Sequence, residues 1–98
     1  MRTPDVEAEI TLQRTAQSGY NPQHKVRDDY LSSGTHNYIG CTEVLPGQTV
    51  MGTITFITPE AYPHCLWVGR EIDIQEGSRV VGRARITRVL NPLLEKTS

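Results

Sequence analysis

The chain lacks most of the features that mark a functional class. It has only two cysteines, Cys41 and Cys65, in 98 residues, too few for a disulfide framework, so both are expected as free thiols. No apolar run approaches the ~20 residues that cross a bilayer, and Met1-Arg2-Thr3-Pro4-Asp5 has none of the apolar core of a secretion signal. The expectation is a cytoplasmic protein with no membrane partner. An excess of one charge is also missing: ten Lys and Arg stand against eleven Asp and Glu, so bulk attraction to nucleic acid is not indicated and only local patches remain. No Gly-x-x-x-x-Gly-Lys-Ser/Thr loop is present to cradle phosphates, which predicts no bound GTP or ATP. Internal repeats, low-complexity tracts and a convincing amphipathic helix are absent too.

What remains is a pattern of short alternating segments. A chain this long makes one domain, 1–98, with 1–5 and 92–98 expected as loose tails. Val6, Ala8, Ile10 and Leu12 alternate with Glu7, Glu9, Thr11 and Gln13, the pattern of a half-buried strand. Gln23 to Leu31 is a second candidate strand, with Pro22 at its entrance. Ser32 to Asn37 reads as a turn cluster, and Tyr38 to Leu45 as a third strand ending at Pro46-Gly47. Thr49 to Thr58 is rich in β-branched residues and stops at Pro59. Residues 59–69 form a connection with a short strand expected at Leu66 to Val68.

Residues 71–90 carry the clearest signal. Ile72 and Ile74 alternate with Glu71, Asp73 and Gln75, and Gly77-Ser78 suits a tight hairpin turn. On the return strand Val80, Gly82, Ala84 and Ile86 are expected inward, and Arg79, Val81, Arg83 and Arg85 outward. The fold class is therefore all-β, a small six- or seven-stranded antiparallel barrel. Val6, Ala8, Ile10, Val50, Ile54, Phe56, Ile72, Ile74, Val80 and Ile86 are its expected core.

Four anchors resemble the third, C-terminal barrel of elongation factor Tu. Ser18-Gly19-Tyr20-Asn21-Pro22-Gln23 is similar to that family's Gly-Tyr-Arg-Pro-Gln segment. Gln75-Glu76-Gly77-Ser78-Arg79-Val80-Val81-Gly82 is similar to its late Arg-Glu-Gly-Gly-Arg-Thr-Val-Gly hairpin. Pro46-Gly47 and Pro59 fall between them at the family's spacing, and the likeness covers Val6 to Leu90. The chain departs from the pattern at Arg14 to Gln17, which is shortened, and near Tyr62 to Arg70, which holds a small insertion. Asp28-Asp29 replaces a threonine pair, and Arg83 and Arg85 replace small or apolar residues. The guanine-nucleotide domain has no counterpart here.

The resemblance implies that Gln23, Glu76 and Gly77 lie where the family's barrel meets the backbone of a tRNA stem, a contact with phosphates and riboses without base readout. Arg79, Arg83 and Arg85 are the strand's basic stripe, able to meet phosphates or an acidic protein, and Arg27 is a further basic neighbour of the Gln23 segment. The competing reading is a solvated barrel face whose arginines pair with Glu71 and Asp73 on the adjacent strand. His36, Cys41, His64 and Cys65 lack metal-ligand spacing, and no nucleophile motif appears, so no metal, cofactor or enzyme activity is expected. The favoured function is a non-enzymatic module that binds another protein or a second copy of itself. One concrete form is a bacterial immunity- or antitoxin-like protein. The alternative is a tRNA- or RNA-stem-binding module, and a weaker third reading is an enzyme pocket near Cys65 and Trp67.

Overall fold

A computed structural model describes residues 3–28 and 30–96. Asp29 and the outermost residues of both expected tails lie outside the described residues. The strands are β1 (Val6–Leu12), β2 (Ala16–Gln17), β3 (Gln23–Arg27), β4 (Tyr30–Tyr38), β5 (Glu43–Val44), β6 (Thr49–Phe56), β7 (Glu71–Glu76) and β8 (Arg79–Val89). Six of them close a barrel in the order β1-β6-β4-β3-β7-β8, and β8 returns to β1. Every pairing is antiparallel. Closure satisfies the backbone groups that an open sheet would leave at its edges.

Alternation decides the interior. Val6, Ala8, Ile10 and Leu12 of β1 all point inward, as do Ile54 and Phe56 of β6 and Ile72 and Ile74 of β7. The β2–β5 pair adds Ala16 and Val44 at the end where β1 finishes, Tyr62 and Leu66 come from the connection between β6 and β7, and Leu94 from the segment after β8.

The expected turn at Ser32 to Asn37 is instead the middle of the nine-residue strand β4. Ser33, Thr35 and Asn37 face outward while Ser32, Gly34, His36 and Tyr38 face inward. With polar residues on both faces, the period of two carries no hydropathy signal. The expected second strand divides into β3 and the start of β4. The expected third strand shrinks to Glu43–Val44.

Val80 is another departure. The β7–β8 ladder pairs Gln75 with Val80 but Ile74 with Gly82, so Val81 is an extra residue. This bulge turns Val81 inward and leaves Val80 51% exposed, the parity switch that one inserted residue causes. Val50 is half-buried against the core.

The ends of the domain are not loose at every expected position. Asp5 is buried, its Oδ2 accepting the Phe56 amide at 2.7 Å and its Oδ1 accepting Asn91 Nδ2 at 2.8 Å. Leu94 is fully buried, and residues 94–96 bond with Leu66 in place of the short strand expected at Leu66 to Val68. Among the described residues no helix is long and apolar enough to cross a membrane.

Candidate functional site

The β7–β8 hairpin turns through Gly77 and Ser78, with Gly77 at φ +63°. A positive φ in the first position of a two-residue loop is the type II′ pattern, in which glycine is unstrained. The turn aims Glu76 and Arg79 at the segment that follows β1. There Arg14 Nη1 donates to Glu76 Oε2 at 2.5 Å, and the Tyr20 hydroxyl donates to the same oxygen at 2.5 Å. The Arg14 guanidinium also sits 5.3 Å from the Tyr20 ring centre, within cation–π range. The Tyr20 bond, helped by Arg14, holds the Glu76 carboxyl below its usual range. Burial, then the bond to Glu76, pushes the Tyr20 phenol up.

Beside this cluster lies an open cleft of about 250 Å³ lined by Gln13, Arg14, Thr15, Glu76, Arg79, Val80 and Val81. Arg79 contributes to holding Glu76 ionised but makes no ion pair among the described residues. The cleft therefore presents a cation, an acid–arginine pair and the exposed apolar Val80 side by side.

The seven residues singled out by sequence fall into three groups. Pairing of β3 with β7 sets Gln23 opposite Gln75, so Gln23, Glu76, Gly77 and Arg79 share one end of the barrel. Arg83 and Arg85 sit on the outer wall of β8. Arg83 pairs with Glu71 at 3.3 Å and with Asp73 at 3.6 Å, and Arg85 pairs with Glu9 at 2.6 Å. Arg88 continues the ladder to Glu7 at 3.7 Å. Arg27 lies at the other end of β3, where it pairs with Tyr30 in the ladder and its charge is felt at Cys65.

Three features escaped sequence reading. Arg14 lies 62 residues from Glu76 in the chain, and no local motif announces that contact. His24 and His36 are both fully buried, Nε2 to Nε2 at 2.8 Å; the inward parity of His24 beside Val26 was the available signal. Trp67 has the Arg70 guanidinium 5.0 Å and the Lys96 ammonium 4.9 Å from its ring centre. Nearby, burial raises the Cys65 thiol, with Arg70 opposing the shift. Among the described residues no group of three or more His, Cys, Asp or Glu could hold a metal ion. No protein-family model matches the chain.

Proposed function

We propose that this chain is a non-enzymatic binding module that engages another protein through the barrel end bearing Arg14, Tyr20, Glu76, Gly77 and Arg79. Its barrel is of the kind that the anchors around Tyr20 and Glu76 liken to the third barrel of elongation factor Tu. The observation that carries the reading is how the arginines are distributed. Arg83 and Arg85 are matched by Glu71, Asp73 and Glu9, so the wall that would follow a phosphate backbone is already neutralised. Arg79 makes no ion pair among the described residues and sits beside exposed Val80 and the Arg14–Glu76 pair. Guanidinium next to apolar surface suits an acidic protein patch, because arginine both pairs bidentately with carboxylates and packs on apolar groups. The raised Cys65 thiol is the opposite of an activated nucleophile.

The test is affinity capture by the full tagged chain from an extract of its native cells, with and without ribonuclease. Capture of a discrete protein should survive ribonuclease and disappear in Arg14→Ala/Arg79→Ala. Capture abolished by ribonuclease would replace this reading with RNA-stem binding. Sedimentation of the purified chain alone identifies a second copy as the partner if it dimerises through the same end.

A further inference from the structure

The His24–His36 contact lies in the barrel interior, on the inward faces of β3 and β4. Hydrogen bonding fixes both tautomers. The Ser32 carbonyl sits 3.1 Å from His24 Nδ1, and a carbonyl only accepts, so Nδ1 carries the proton. In a neutral ring His24 Nε2 is then an acceptor, and His36 Nε2, 2.8 Å away, is the donor. His36 Nδ1 is left as an acceptor for the Tyr38 hydroxyl at 3.0 Å. The result is a one-way chain from Tyr38 through His36 and His24 to Ser32, with both lone pairs of the two rings already in use.

The pair is tied to the candidate binding end. His36 and Tyr20 rings meet edge to face at 5.6 Å. The His36 amide donates to the Tyr20 carbonyl, and the Gly19 amide donates to the His36 carbonyl, both at 2.8 Å. Tyr20 in turn holds Glu76.

We propose that the His24–His36 pair is an acid-operated latch: it holds the Tyr20–Glu76 end of the barrel in shape while both rings are neutral, and uptake of a solvent proton by the pair opens that end. A proton on His24 Nε2 would set two N–H groups against each other. A proton on His36 Nδ1 would turn the Tyr38 hydroxyl out of donation and leave a buried imidazolium. Among the described residues no counter-charge touches either ring. β4 contributes Tyr38 and β6 contributes Phe56, edge-on to His24 at 5.4 Å; β7 sets Ile74 opposite His24. Tyr20 packs on His36, and Tyr62 reaches the network through the Ser32 hydroxyl at 2.6 Å. The charge of Asp5 is felt at Tyr62, that of Glu76 at Tyr20 and that of Cys41 at Tyr38, but no carboxylate bonds either ring among the described residues.

Burial lowers His24 to about 4, and burial with the neighbouring ring lowers His36 to about 3. An opened state restores the ordinary value near 6.5. The open state therefore binds more protons between those values. The closed state keeps its full advantage above pH ~6.5 and loses it as pH falls toward ~4. The device needs no partner and holds whether or not that end binds a protein.

The test is NMR of the full chain across this range. Long-range imidazole nitrogen correlations should show His24 protonated at Nδ1 and His36 at Nε2, with neither ring titrating above pH ~5 while folded. Hydrogen exchange at Gly19, Gly34 and His36, corrected for intrinsic rates, should show opening rising about tenfold to a hundredfold per pH unit below ~6. In Tyr38→Phe the freed His36 lone pair can take a proton in the closed state, so the rise in opening should begin near the same pH but level off at higher pH than in the wild type. Opening that ignores pH, a ring titrating near 6.5 in the folded protein, or a Tyr38→Phe loss equal at every pH would each overturn the proposal.

Discussion

Arg85 reaches Glu9 across the seam between β8 and β1 at 2.6 Å, and the same two residues are direct partners in the strand ladder. With Arg83 and Arg88 it makes the outer wall of β8 a self-paired charge ladder. Both side chains are more than a third exposed, and exposed pairs contribute little. Arg85→Ala should cost under about 1 kcal/mol in urea unfolding, with the difference shrinking as salt rises. A larger, salt-independent loss would mean that Arg85 does more than pair with Glu9.

Phe56 is fully buried where β6 ends, edge-on to both His24 and Tyr62. Phe56→Ala should cost on the order of 3 kcal/mol or more, because the vacated volume is walled by strands that cannot collapse into it. Equilibrium unfolding checks this, and a loss below about 1 kcal/mol would place Phe56 outside the core.

Gly34 shows why β4 tolerates so polar a sequence. A Cβ there would lie 2.8 Å from Ile54 Cγ2 and 3.0 Å from His24 Cε1. The missing side chain is the space into which the His24 ring fits. Gly34→Ala should destabilise by about 1–3 kcal/mol through overpacking and disturb the His24 and His36 ring resonances together. Unchanged resonances with unchanged stability would contradict this packing.

Much of the barrel was legible where one face of a strand is apolar. β1, β6 and β7 follow their alternation, and Gly77-Ser78 marks the hairpin turn. β4 was not legible, since a serine, a glycine and a histidine take inward positions, where Ser32 bonds Tyr62 and His36 bonds His24 and Tyr38. The outward setting of Val80 was hidden because a bulge is a property of two paired strands, and the run Arg79-Val80-Val81-Gly82 carries no mark of it. The candidate site was half legible. The Tyr20 and Glu76 segments stood out separately, whereas their bond and the part of Arg14 depend on closure of strands far apart in the chain. The pairing of the arginines with acids on β1 was equally invisible, although Glu71 and Asp73 were readable as hairpin neighbours.

Glu76 should govern how Tyr20 ionises. Its carboxylate accepts the phenol proton donor and repels a phenolate, and both effects raise the Tyr20 phenol. In Glu76→Gln the charge is gone while Arg14 remains, so Tyr20 should ionise at lower pH than in the wild type. Ultraviolet difference titration of the tyrosines checks this. An unchanged or higher Tyr20 ionisation would show that the contact does not persist in solution.

On the function proposed above, this barrel meets a protein and does not read an RNA stem. A titration of the full chain with bulk tRNA at physiological salt tests it most directly, with Arg83→Ala/Arg85→Ala in parallel. Binding should be weak and sequence-indifferent, fade as salt rises and change little in the double variant, whose arginines are matched by acids in the wild type. Sub-micromolar binding by the wild type, lost in the double variant, would overturn the protein-binding proposal and establish the β8 wall as an RNA-stem surface.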